Sequence, residues 1–255
     1  MLNRRHLLLT GCATCAALAS VRSLGMAAAF APTNEIRGPG YILRYTGSIR
    51  EAIMMGRRDA VLDLRTLKGR PHLWSLGALG GLSGEITIAD GLSLLARVGT
   101  DHSIQVTEGY DGDATICVWA EVPSWQTTPV PPDIRSYSEL ETFVGHAGKK
   151  AGLSQAFPFV VTGRPKQIAF HVVDAKLDTV PGLAAHQGIQ IPFEAHQSEA
   201  TLVGFWSSQH EGIFTPKGSK MHVHFQSKDN KASGHVQDVD LMQSETTLRL
   251  PKRSS

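Results

Sequence analysis

From residue 156 onward the chain breaks into short apolar runs, and this pattern restricts the fold more than any other feature. The runs read AFPFVVTG, KQIAFHVVDAK, EATLVGFW, KMHVHFQ, GHVQDVDL and TTLRL. Their β-branched and aromatic content, with turn residues between them, is that of strands. The first half is more mixed. GYILRYTGS reads as a strand and IREAIMMGR as a short amphipathic helix. PHLWSLGALGGLSGEITIADGLSLLARV carries four glycines that loosen the chain ahead of a hairpin turned at Asp90-Gly91, a strong two-residue turn signal. DATICVWAEV is another strand, ended by the Pro-rich loop PSWQTTPVPPDIR. Ser138 with Glu141 three residues on is a candidate capping box for the helix ELETFVGHAGKKAG. The expected class is therefore α+β: mixed or antiparallel sheets with few helices, the C-terminal half mostly antiparallel. The expected organisation is a leader over residues 1–31, an α+β subdomain over 32–160 and a β subdomain over 161–255, with a soft boundary in the loop between Pro181 and Pro192.

The leader rests on MLNRRHLLLTGCATCAALASVRSLGMAAAFAPT. Arg4 and Arg5, followed by an apolar stretch and an alanine-rich segment, have the form of a twin-arginine export signal. Cleavage is expected after one of residues 27–31, giving a periplasmic or secreted protein. LTGC ending at Cys12 also has the form of a lipid-attachment box, but the apolar run before it is very short. Cys12 and Cys15 fall inside the leader, so their two-residue spacing is not read as a metal or redox pair. That leaves Cys117 within an apolar run, where a lone cysteine is a small core residue, and no disulfide framework is expected. A formal charge of +2 gives no basic footprint for nucleic acid. No apolar run beyond the leader approaches the roughly 20 residues of a membrane span.

GSKMHVHFQSKDNKASGHVQDVDL carries the chemistry. On a strand, His222 and His224 share one face while Met221, Val223 and Phe225 share the other, and residues two apart lie roughly 6.5–7 Å apart. SKDNKASG then turns the chain, and Gly234 leads His235 back beside the first two imidazoles. Three histidine ligands with a fourth position open form the pattern of a catalytic zinc site. The competing reading is a solvated strand face that happens to carry histidines. Other catalytic signals are poor. GGLSGE lacks the spacing of a nucleophile elbow, TPKGSK lacks that of a phosphate loop, and no glutamate follows His224 as in a cupin.

LVGFWSSQHEGIFTPKGSKMHVHFQSKDNKASGHVQDVDL resembles the C-terminal half of bacterial α-acetolactate decarboxylases, and LGALGGLSGE resembles that family's N-terminal motif. The resemblance runs from about Tyr45 to Pro251 and is dense only over these two segments. It implies a Zn2+ cofactor on His222, His224 and His235, and an active-site carboxylate at Glu85. It also implies a small hydroxy-keto acid substrate, with 2-acetolactate converted to acetoin and CO2, and a homodimer. The chain departs from the family in three places. His171 stands where the family has an arginine, Ala78 where it usually has a threonine, and no acidic residue follows Glu245 in the given sequence. Two alternatives stay open: another metal-dependent lyase reaction on a β-keto or hydroxy acid with His171 as acid-base, or a non-catalytic periplasmic metal- or ligand-binding protein of the same fold.

Overall fold

The strand pattern becomes two antiparallel sheets in the computed structural model, which describes residues 32–153, 155–177, 188–197, 199–241 and 245–253. The leader, with Arg4, Arg5, Cys12 and Cys15, lies outside the described residues, as does most of the loop that begins at Pro181. No helix among the described residues is long and apolar enough to cross a membrane.

The first sheet holds β1 (Asn34–Gly38), β2 (Tyr41–Thr46), β3 (Leu62–Asp63), β4 (Leu73–Leu79), β5 (Glu85–Ala89), β6 (Leu92–Val98), β7 (Ile104–Glu108) and β8 (Asp113–Glu121), in the order β1-β2-β8-β4-β5-β6-β7 with β3 also on β8. The second holds β9 (Trp125–Pro129), β10 (Ala156–Gly163), β11 (Gln167–Val173), β12 (Gln190–His196), β13 (Ala200–Ser207), β14 (Met221–Ser227), β15 (Ser233–Asp240) and β16 (Thr247–Pro251), in the order β12-β11-β15-β14-β13-β10-β16-β9. The chain passes from one sheet to the other between Glu121 and Trp125, whereas the boundary expected at 160/161 runs through β10.

The sheets face each other. One large apolar core takes Leu43, Leu76 and Val118 from the first sheet, Val160 and Val203 from the face of the second sheet that meets it, and Phe159 and Phe225 from the second sheet's other face. Helix α2 (Tyr137–Lys150) adds Leu140 and Val144 to it, so the second sheet is covered on both faces. Each such fully buried side chain contributes about 1.5–3 kcal/mol relative to exposure. Alternation on β5 then sorts the next layer. Ile86 and Ile88 turn outward to a separate small core with Leu64, Leu67 and Cys117, which leaves Glu85 and Thr87 facing the second sheet.

Two local expectations shift. The capping box of α2 is Ser136 with Glu139, not Ser138 with Glu141. Both frames satisfy the spacing, but Glu139 accepts the N–H groups of Arg135 and Ser136, while Glu141 accepts the Lys220 N–H at 3.1 Å. The glycine-rich stretch before the hairpin is not loose either, because Gly77 sits inside the fully buried strand β4. The Asp90-Gly91 turn forms as expected, with positive φ at both residues (49° and 84°).

Candidate metal centre

β14 is buried on both faces, which removes the solvated-face reading of its histidines. Met221, Val223 and Phe225 pack into the main core, while His222 (4% exposed) and His224 (0%) face the first sheet. The hairpin pairs His224 with His235 across β14 and β15. A bulge on β15 between the partners of Ala169 and Phe170 advances the register by one residue, so His171 on β11 sits opposite His235 rather than Val236. Gly234 allows that approach, since a Cβ there would lie 2.7 Å from the His171 carbonyl oxygen. His171, His235 and His224 thus form one row across three strands. The rings of His171 and His235 stack with centroids 4.5 Å apart.

The imidazoles of His222, His224 and His235 converge, each offering one nitrogen within 4.8 Å of the others. Backbone carbonyls fix two of them. His222 Nδ1–H donates to the Phe214 carbonyl at 2.7 Å, and His224 Nδ1–H donates to that of Ile86 at 2.9 Å. A carbonyl only accepts, so in each neutral ring Nε2 carries the lone pair. Those two Nε2 atoms face each other at 3.2 Å, and His235 Nδ1 lies 2.9 Å from that of His222. Two facing lone pairs repel; a shared cation turns that repulsion into ligation. Two nitrogens on a tetrahedral zinc at about 2.0–2.1 Å stand about 3.3 Å apart, so the His222–His224 pair already has the spacing of two ligands. Burial keeps the rings neutral and ready to ligate: it pushes His222 down to about 4 and His224 well below the usual imidazole value, with His222 and His171 adding to the latter.

Glu85 opens β5 beside this cluster. Its Oε2 is 3.6 Å from His224 Nε2, its Oε1 is 3.9 Å from His171 Nε2, and Val173 N–H donates to Oε1 at 3.2 Å. Burial drives its carboxyl well above the ordinary range, opposed by that one N–H. Ala78 pairs with Glu85 across β4 and β5 and offers only a methyl group. Glu85, His171, His222, His235 and Ala78 line a cavity of about 110 Å3, whose apolar wall includes Ile49, Ile53, Leu82 and Ile116. Ile49 and Ile53 come from the short helix α1 (Ile49–Met54), which is tied to the loop bearing Phe214 by Ile49 N–H to Ile213 O (2.9 Å) and Arg50 N–H to Gly212 O (2.8 Å).

All five residues singled out in the sequence, His222, His224, His235, Glu85 and His171, therefore meet at one place. Glu245 does not; it is exposed at a different cleft. The supporting groups were not read from the sequence. Thr87 Oγ1 lies 3.3 Å from His224 Nδ1 and accepts from Ser233 Oγ at 2.9 Å. Thr87 was within reach, being two residues beyond Glu85 on the same strand face. The Phe214 and Ile86 carbonyls carry no side-chain signal.

The sequence profile described as alpha-acetolactate decarboxylase matches residues 45–253. The chain is 26% identical over 219 residues to the alpha-acetolactate decarboxylase of Methanosarcina mazei, covering 80% of this chain and 68% of that protein. It is 24% identical over 185 residues to that of Brevibacillus brevis, covering 72% and 62%. The chain thus spans about two thirds of the length of the curated relatives it matches. Among solved structures, it is similar to a Staphylococcus aureus protein of unknown function described as similar to alpha-acetolactate decarboxylase (TM-score 0.67, 15% identity, 83% of this chain and 85% of that one). It is also similar to the alpha-acetolactate decarboxylase of Bacillus subtilis (TM-score 0.63, 18% identity, 82% and 84%). At these identities the two structures speak to the fold alone.

Proposed function

The chain belongs to the alpha-acetolactate decarboxylase family, a family of carboxy-lyases, and from that premise we propose that it is a zinc-dependent decarboxylase converting 2-acetolactate to acetoin and CO2. The observation that carries the reading is the pair of lone-pair-bearing Nε2 atoms held face to face by the Phe214 and Ile86 carbonyls, with Glu85 beside them. Three imidazoles suit zinc among the common ions, though they also suit other late transition metals. When bound, zinc supplies Lewis-acid chemistry, polarising the carbonyl and hydroxyl oxygens of a hydroxy-keto acid and stabilising the negative charge left as CO2 departs.

The chain's own residues supply the rest. Loss of CO2 leaves the bonding electron pair on carbon, and one proton must reach that carbon to give acetoin. Glu85 is the donor. Its Oε1 accepts the Val173 N–H, which leaves Oε2, on the His224 side, to carry the proton that burial retains. His171 stands against both Glu85 and His235, placed to steady the carboxyl group and pass it a replacement proton. Ile49, Ile53, Ala78, Leu82 and Ile116 surround the methyl groups and keep water away from the carbanion-like centre. Export, on the strength of Arg4-Arg5 and the alanine-rich stretch after it, and a homodimer belong to the same proposal.

A second reading is favoured by His171 itself. A single imidazole cannot make the two-pronged carboxylate contact of an arginine, so its stacking on His235 fits acid-base work on a different β-keto or hydroxy acid. The test is incubation of the purified, metal-loaded protein with racemic acetolactate, reading acetoin with and without chelator. Acetoin that forms and stops on chelation supports the first reading. Stoichiometric zinc without any acetoin sinks it and leaves the second reading or a non-catalytic binding role.

A further inference from the structure

A second cleft, of about 780 Å3, opens between the two sheets and shares no lining residue with the metal cavity. β16 borders it. Leu248 and Leu250 are buried in the core, and alternation turns Arg249 between them to the other face of the strand. There the guanidinium carbon sits 5.4 Å from the ring centre of Trp74 and 6.0 Å from that of Trp125. The cation–π contacts hold the flat group in place but give its N–H donors no acceptor.

The other cations of this cleft are spent. Arg164 and Lys228 both bind Glu199, at 3.3 and 2.5 Å. Among the described residues Arg249 has no such partner: its Nε is buried without an acceptor, and Asp90 acts on it only through space. The Trp74 indole N–H, in the same wall, is likewise buried without an acceptor. Half-burying a permanent charge costs free energy that hydrogen bonds normally offset, and among the described residues no side-chain or backbone acceptor does so for its Nε. A fixed guanidinium without an acceptor, aligned on an aromatic wall in a cleft with room for a small organic molecule, is a receptor for an oxyanion.

We propose that Arg249 anchors a second, non-catalytic site, which binds the carboxylate or phosphate group of a small molecule in the cleft between the sheets. Gln226 places this site next to the metal centre without joining it. It lies two residues beyond His224 on β14, lines the cleft, and donates to the Thr87 and Leu92 carbonyls at 3.2 and 3.1 Å.

The test titrates the full chain separately with inorganic phosphate and with lactate, reading tryptophan fluorescence and heat of binding. Arg249→Met, Arg249→Lys and His224→Ala variants run in parallel, and a thermal melt of each checks that it folds. Saturable binding of one probe, weakened about ten- to hundredfold in Arg249→Met, less in Arg249→Lys and unchanged in His224→Ala, bears the proposal out, and the probe that binds identifies the oxyanion class. Should Arg249→Met fail to fold, the Arg249→Lys and His224→Ala arms still decide. The proposal is overturned by no saturable binding of either probe, by binding that Arg249 variants leave unchanged, or by binding that His224→Ala abolishes. The last outcome places the anion on the metal and leaves the proposed decarboxylation standing.

Discussion

The metal cavity and the Arg249 cleft lie between the same two sheets and solve the problem of buried polarity in opposite ways. In the cavity, burial disfavours charge: it lowers the pKa of His222 and His224 and raises that of Glu85, and backbone carbonyls orient the first two rings. In the cleft, a charge that cannot be removed is half-buried against two tryptophans, its Nε without an acceptor among the described residues. One region presents converging acceptors and awaits a cation. The other presents an unanswered cation. Burial alone marks neither region as a site; the sign of what is left unsatisfied tells what each would hold.

The largest expected effect tests the cavity's proton. Glu85→Gln keeps the shape and the hydrogen bond from Val173 but removes the acid, and acetoin formation should fall about 10²–10⁴-fold while metal content holds. A fall that merely tracks metal loss would make Glu85 a supporting residue.

Next comes the cost of keeping imidazoles neutral. Unfolded histidines take up protons below about pH 6.5, whereas burial holds His222 to about 4. Between these values the unfolded chain binds more protons at this site than the folded one, so in metal-free protein His222 withdraws stability as pH falls through that window. His222 accounts for roughly 3 kcal/mol between pH 7 and pH 4. The Glu85→Gln background removes the opposing titration of Glu85, which destabilises as pH rises. There, unfolding free energies from denaturant titrations should show a fall that is smaller by that amount once His222→Gln is added. Equal falls would mean that His222 is not held neutral by its surroundings.

Thr87→Val reaches the same ligand set from the side. It removes a hydroxyl that touches His224 Nδ1 and accepts from Ser233, and metal affinity measured by competition with a chelator should weaken about tenfold. The smallest effect belongs to the other region. Arg249→Met gives up cation–π contact but relieves desolvation, so its unfolding free energy in ligand-free buffer should shift by no more than about 1 kcal/mol. A loss of several kcal/mol would show that Arg249 is a structural strut and erase the contrast between the regions.

Strands at the centre of each sheet were legible in the sequence because both faces or alternate faces are apolar; β8, β13 and β14 are the clearest. The four strands that close the edges, β1, β7, β9 and β12, were not. NEIRG, IQVTE, WQTTP and QIPFEAH are half-polar, and two of them carry proline, which sheets tolerate at their edges and which reads as loop. The ligand triad was legible for the same reason as the central strands: alternation puts His222 and His224 on one face and a short turn returns His235. Nothing in the residue types announced the bulge that sets His171 opposite His235, or the carbonyls that orient the rings, because both are backbone features set by tertiary packing.

Metal content of the purified full-length chain tests the central claim most directly. With His222, His224 and His235 as the ligand set, elemental analysis should find about one zinc per chain in the wild type and nearly none in His224→Ala, at equal folded fraction by circular dichroism. Full occupancy in the His224→Ala variant, or a folded wild type that neither carries nor takes up zinc, would contradict the account.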